Sequence, residues 1–449
     1  MGKINWFKRS SDPNDLLCVG ERFAYACANA GNSWSYILVA GFLTFYYTNV
    51  AGLNPGVIGT ILLVSRVFDG FSDLIMGTII DKTKMKMGKA RPWILIAAVP
   101  YMVATILTFS VPLHASDTAK YIYVFVTYNL LNTVTYTMSN TAVFAQNCLN
   151  TSNSEERTKS GIWCQIGSNA VIFIVSATYI KWVTAMGGDA AAWRNGAAAF
   201  AAIGTAMLIF SALCTRERVV PDAEEVKIPL KNRLKAVLTN KNWVLFVVSY
   251  SLSVLGYVMI SGGCLYYCQD ILGDKTRQAT LSSLQSGLSF VLLILVMSFI
   301  VKKLGNVAVK QWSSVFFIIG CAGMLLSRNW TVVIAMYVFI GLGWAFLLSA
   351  QGGLMADTSQ HMGDLAGFDV SGISNAGMTF AMKIGSGLGS ALLGWVLSAF
   401  QYDGMKEVQT AQAITGVKVA VMVVPIVIML IAMLFMAPYD LYKKKGQTA

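Results

Sequence analysis

Charge is scarce in this chain: only 12% of its 449 residues are Asp, Glu, Lys or Arg. A soluble protein of this size carries about twice that share on its surface, so a water-facing exterior is excluded over most of the chain. Proline is also rare, at 9 residues against 39 glycines, which leaves long helices unbroken and supplies small residues for close helix crossings. There are two histidines, His114 and His361, and the eight cysteines include no Cys-x-x-Cys pair. That removes the usual zinc and redox patterns, and the cysteines read as packing residues. The polar start, MGKINWFKRSSDPNDLL, has no cleavable signal pattern.

Apolar residues make up 55% of the chain, and the mean hydropathy is +0.59. A bilayer crossing takes about 20 largely apolar residues. Twelve such segments are expected, at 22–48, 56–80, 92–113, 120–147, 160–184, 194–214, 242–268, 278–301, 309–327, 331–351, 370–400 and 415–437. Twelve spans put both termini on one side. Under that topology the tails and even-numbered loops hold 23 of the 34 Lys and Arg, and the opposite loops hold 8. The asymmetry places both termini in the cytoplasm of a plasma or bacterial inner membrane. It also accounts for the net charge of +12 without nucleic acid.

The longest polar loop, 215–241, divides the chain into halves of six spans, 1–214 and 242–449. The loop after span 2, MKMGKARPW, has a weak echo after span 8 in VKKLGNVAVKQW. The expectation is an all-α membrane protein of twelve transmembrane helices, with a major-facilitator fold in two six-helix halves and a substrate site at the midplane.

Polar groups inside spans are costly, so they mark function. In span 2, SRVFDGFSDLIMG, Asp69 and Asp73 share a face at i,i+4 and Arg66 precedes them by three. Two carboxylates so close need a positive partner: a sodium ion, a proton, or Arg66 in a purely structural pair. In span 4, Asn132, Tyr136 and Asn140 form one stripe, and Thr133, Thr137 and Thr141 form its neighbour. In span 11, Ser371, Asn375, Thr379 and Lys383 recur every four residues, and Lys383 needs a negative partner, with Asp69 or Asp73 as candidates. Asn29, Asn32 and Ser33 of span 1 suit a hydroxyl-rich ligand. Trp34, Trp163 and Trp344 are candidate stacking or packing residues.

These residues carry a family resemblance. FYYTNVAGL, SRVFDGFSDLIMG, DKTKMKMGKARPWIL, TYTMSN, MADTSQHMGDLAG and MTFAMKIGSGLGSALLGW are similar to the glycoside–pentoside–hexuronide:cation symporters, over about residues 20–400. The resemblance implies a cation site at Asp69, Asp73 and Thr137, coupling through Lys383 and Arg66, and co-transported Na+ or H+ with no other cofactor. Together with the polar faces above, the expected substrate contacts are Asn29, Asn32, Ser33, Tyr136, Asn140, Phe144, Trp163, Cys164, Gln165, Trp344, Asn375 and Thr379.

The sugar-binding positions depart from the family pattern. Ser33 and Asn140 stand where aspartates occur, and Cys164 falls near an arginine. The loop reads AGFDVSG, with Asp369 and Ser371, in place of the family's charged version. This speaks against a galactoside and a hexuronide. The expected protein is a monomeric secondary transporter of a sugar or glycoside and not an enzyme. The alternatives are a same-fold carrier of an amphiphile or another small organic solute, and a non-transporting membrane sensor.

Overall fold

A computed structural model describes residues 12, 16–219, 230–295, 297–368, 370–406 and 408–441. The described residues are mainly helical, with no strand among them beyond one isolated bridge, Met85 to Gly88. Eight helices among them are long and apolar enough to cross a bilayer: Arg91–Thr108, Glu155–Ala185, Ala190–Cys214, Lys241–Asp270, Asn306–Leu326, Trp330–Ala366, Gly372–Ala399 and Ala411–Met436. Of the other four expected spans, 56–80 lies in a helix weighted by Arg66, Asp69 and Asp73. The spans 22–48 and 120–147 are each split by a π turn, and 278–301 includes residue 296, which lies outside the described residues.

The chain forms two compact units. One comprises Met1–Leu53 with Val64–Glu225, and the other Asn54–Leu63 with Val226–Ala449.

In the first unit, α1 (Val19–Leu38) packs on α7 (Ser154–Ala185) and α8 (Ala190–Cys214), and α4 (Arg91–Thr108) packs on α8. Glycine permits the α1–α8 crossing: a Cβ on Gly31 would lie 2.8 Å from the Gly204 carbonyl oxygen. A short helix, α2 (Thr44–Asn49), follows the π turn Val39–Leu43. Its Tyr46 joins Phe109, Tyr179 and Trp193 in a buried aromatic cluster. The helix bearing the aspartates is α3 (Pro55–Lys82). Span 4 is built from α5 (Asp117–Asn129), a π turn Leu130–Tyr136 and α6 (Thr137–Asn150).

The basic end of this unit is held by buried ion pairs. Arg218 donates to both oxygens of Glu21 at 2.8 Å, and Arg22 Nε donates to Glu156 at 3.0 Å. The Glu217 carboxylate accepts from the amides of Lys89, Ala90 and Arg91, which caps the start of α4. The turn that brings those amides round uses Gly88 at φ +114°.

In the second unit, a short α9 (Leu230–Leu238) precedes α10 (Lys241–Asp270), which packs on α15 (Ser371–Ala399) and on α17 (Val424–Met436). Between them run α11 (Arg277–Leu295), α12 (Met297–Leu304), α13 (Asn306–Leu326) and α14 (Trp330–Ala366). The helices α11 and α13 both lie against α14, and α16 (Ala411–Lys418) leads through the π turn Val419–Val423 into α17.

Two expectations change here. The stretch MADTSQHMGDLA, outside the expected spans 331–351 and 370–400, continues α14 to Ala366, where Gly367 at φ 73° ends it. It contains no proline, and its residues extend the helix as readily as they leave it. The loop VKKLGNVAVKQW overlaps the expected span 309–327, and α13 starts three residues before that span, at Asn306, with Lys310 completely buried. Residues 220–229 of the central loop, Asp369 and the C-terminal 442–449 lie outside the described residues, as does the side chain of Ser371.

Candidate functional site

The α3 helix presents Arg66, Asp69, Ser72 and Asp73 at spacings of three and four, so they share one face. Asp69 is fully buried, Asp73 is half-buried, and Arg66 Nη1 lies 3.5 Å from Asp69 Oδ2. Facing them is Thr137, the first residue after the π turn of span 4. A π turn inserts one residue into the helical repeat and recurs at functional sites. Here it leaves the Thr137 hydroxyl 3.2 Å from the carbonyl oxygen of Asn132. The preceding turn is pinned to α3 by Asn129, whose amide donates to Ser65 at 2.8 Å.

Thr137 Oγ1 lies 3.1 Å from Asp69 Oδ1, 3.3 Å from Asp73 Oδ1 and 3.2 Å from Ser72 Oγ. Five oxygens thus converge: two from carboxylates, two from hydroxyls and one from a carbonyl. A threonine has one hydrogen to donate. The Ser72 hydroxyl lies 2.9 Å from the Asp69 carbonyl, where it donates its own hydrogen. At most one of the four Thr137 approaches then carries a proton, unless a further proton or cation enters. The set is all-oxygen, which suits a hard cation, and Arg66, Asp69 and Asp73 together sum to one negative charge.

The structure thus brings Asp69, Asp73, Thr137 and Arg66 together. It adds Ser72, whose only signal in the sequence was its position three residues after Asp69. Lys383 lies half-buried on α15 in the second unit.

The expected substrate residues divide by their surroundings. Asn29, Tyr136, Asn140 and Trp163 are half-buried and Gln165 is exposed; their polar side-chain atoms have no hydrogen-bond partner among the described residues. Tyr136 stacks on Tyr36 with centroids 5.8 Å apart. Phe144 is 63% exposed.

Others are engaged within their own unit. Asn32 is buried, and its amide oxygen accepts from Ser139 at 2.7 Å. Ser33 donates to the Asn29 carbonyl one turn back. Cys164 is buried, with its thiol 3.6 Å from the Tyr25 carbonyl. In the second unit, Trp344 lies face to face with Tyr257 at 3.7 Å, which takes one of its two ring faces. Asn375 and Thr379 are exposed on α15, and Thr379 donates to the Asn375 carbonyl. Trp34 packs on Phe200 with its edge on Met207.

Comparisons with known proteins agree with this architecture. The chain is 27% identical over 435 residues to the inner membrane symporter YicJ of Escherichia coli, covering 95% of this chain and 92% of the relative. It is 29% identical over 418 residues to the isoprimeverose transporter of Lactiplantibacillus pentosus, covering 91% and 85%. A bacterial homologue of the human lysosomal transporter Spinster, solved inward-facing and unoccupied, superposes with a TM-score of 0.70 at 12% identity, covering 96% of this chain and 98% of that one. The likeness at that identity is one of fold. The model of the MFS/sugar transport protein family matches residues 24–443, nearly the whole described chain. The protein belongs to the MFS/sugar transport protein family, a family of transporters and not of enzymes.

Proposed function

We propose that the chain is a secondary active symporter that couples sugar or glycoside movement to Na+ or H+ by alternating access. The observation that carries this reading is the Thr137 cluster, where four oxygens crowd a hydroxyl with one hydrogen to give. For a hard cation with metal–oxygen bonds of 2.3–2.6 Å, octahedral edges are about 3.3–3.7 Å. The separations of 3.1–3.3 Å between Thr137 Oγ1 and the two carboxylates reach the lower edge of that range and need only a slight expansion to admit the ion. A proton on either carboxylate relieves the same crowding. The names of the relatives, a symporter and an isoprimeverose carrier, support a sugar-linked cargo.

On this reading the chain has twelve spans in halves 1–214 and 242–449 joined by 215–241. Both termini are cytoplasmic and the monomer is the working unit. Asn29, Tyr136, Asn140 and Gln165 offer open hydrogen-bonding groups to hydroxyls, and the first three are half-buried. Cation and substrate each stabilise the same loaded state, and that coupling is reciprocal.

The test is uptake into proteoliposomes under an imposed sodium or pH gradient, with a panel of glycosides and small organic solutes. Asp69→Asn and Asp73→Asn are expected to lose gradient-driven accumulation by about a hundredfold, the cost of removing a charged ligand, while keeping some substrate exchange. Normal accumulation in both variants would sink the reading.

A further inference from the structure

Two thiols lie one helical turn apart near the end of α10. Cys264 and Cys268 are both fully buried, and their sulfurs touch. Cys268 is two residues from the end of the helix at Asp270. Neighbouring helices bring hydroxyls to the same place: Tyr337 of α14 and Ser282 of α11 both face the Cys264 sulfur. Tyr337 is fully buried, and its hydroxyl makes no hydrogen bond among the described residues. Ser282 accepts from Gln278 Nε2 at 2.9 Å, which leaves its own hydrogen to give. The other amide atom of Gln278, Oε1, is also buried with no partner among the described residues.

A buried polar group without a partner is costly, so one in a folded protein marks something that completes it. Here two O–H donors converge on one sulfur. A neutral thiol is a weak acceptor, whereas an ionised one is strong. A thiolate in an apolar interior needs a cation beside it. The guanidinium at this end, Arg277, is turned to Asp274 and the ring of Trp330. Thiolates select soft metal ions. Cβ atoms one turn apart on a helix are separated by about 5–6 Å, and two metal–sulfur bonds of about 2.3 Å span about 4.6 Å, so one ion fits between the pair. Among the described residues no group of three or more His, Cys, Asp and Glu is placed to hold a metal. A two-sulfur site falls short of the four ligands zinc takes in structural sites and suits Cu+. We propose that Cys264 and Cys268 bind one Cu+ ion as a dithiolate. Each thiol releases a proton as its Cu–S bond forms, which leaves one negative charge on the site. Tyr337 and Ser282 donate to the Cys264 sulfur and stabilise that charge. The inference is independent of the transported substrate.

The test uses the full chain purified in detergent, with a reductant that keeps copper as Cu+. Cys148→Ser and Cys214→Ser are built in first, because those thiols are exposed and half-buried and would take up copper by themselves. Cu+ is delivered from a coloured competing chelator, Zn2+ is titrated in parallel, and the metal retained per chain is counted. One tight equivalent of Cu+ is expected, held by two sulfurs at about 2.3 Å in X-ray absorption, with a raised unfolding temperature. Cys264→Ser or Cys268→Ser is expected to abolish that equivalent. Cys321→Ser, at a buried thiol on α13, is the control and should keep it. Tyr337→Phe is expected to weaken the affinity about tenfold, the share of one hydrogen bond to a charged group.

Should the serine variants not fold, the absorption spectrum of the parent chain still decides: a shell of nitrogen or oxygen, or of a single sulfur, overturns the proposal. A chain that retains no copper against the chelator overturns it too, as does a Cys321→Ser variant that loses as much as Cys264→Ser. Zn2+ retained as tightly as Cu+ would call for further ligands and overturn the two-sulfur assignment.

Discussion

The two units bury charge of opposite sign and settle it differently. In the first, Asp69 and Asp73 sit among hydroxyls with Arg66 on the same helix, so counter-charge and ligands share one face. In the second, Lys310 is fully buried on α13, and its partners are the hydroxyls of Ser253 at 3.0 Å and Ser314 at 3.5 Å. No carboxylate pairs with it among the described residues. Around Lys310, Ser249, Ser253, Ser313 and Ser314 are all fully buried too. A charge compensated by charge makes a site whose energy changes when a cation enters. A charge solvated by hydroxyls is a standing cost to the fold.

That contrast is easiest to break at Arg66. Arg66→Met removes the counter-charge beside a fully buried carboxylate and is expected to destabilise the first unit by about 3 kcal/mol. Arg66→Lys should recover part of the loss. Thermal unfolding in detergent reads both, and a methionine variant as stable as the wild type would show that Arg66 does not compensate Asp69. The opposite sign is expected in the second unit. Lys310→Met keeps the volume and removes the uncompensated ammonium, so the same assay should show equal stability or a gain of about 1 kcal/mol. Lys310→Ala leaves a void and should lose about 2 kcal/mol. If Lys310→Met costs as much as Arg66→Met, the two units handle charge alike after all.

A carboxylate outside the spans supplies the smallest effect. Asp274, in the turn after α10, accepts from the Thr276 hydroxyl at 2.6 Å and amide at 2.9 Å. The Thr276 hydroxyl, with its amide and Arg277 assisting, holds the Asp274 carboxyl below the usual aspartate range. A group lowered on folding adds stability above its unfolded value of about 3.9 and loses it as pH falls through the folded value. Asp274→Asn should therefore lower the unfolding temperature slightly at neutral pH, and the difference should shrink as pH falls below the unfolded value of about 3.9 through the folded one. With solvent screening this is far weaker than at Arg66, and an effect of similar size would mean that burial is not what separates them.

Much of the fold was legible because membrane solvent constrains sequence strongly. A run of apolar residues bounded by basic loops allows little but a helix. The aspartate pair was legible for a related reason: a carboxylate in a span is too costly to be incidental, and a spacing of four puts both on one face. Thr137 needed more. Its stripe showed that span 4 was polar, but the π turn that carries its hydroxyl to Asp69 leaves no mark in the residues Leu130–Tyr136. Burial of individual polar residues was the least legible feature. Asn32 and Cys164 share the sequence character of pocket residues, yet their partners are Ser139 on α6 and the Tyr25 carbonyl on α1. Lys310 fell at the basic start of the expected span 309–327, where a lysine normally reaches water, so its full burial on α13 left no mark in the sequence.

Local chemistry along the chain was enough to determine a helical membrane protein with costly carboxylates in its second span, because hydropathy and helical period act over short distances. Tertiary structure alone decided which polar groups meet. A hydroxyl pairs with its own helix, a neighbouring helix or a ligand at similar cost, and only the packing of α3 against the π turn of span 4 selects the convergence of oxygens on Thr137.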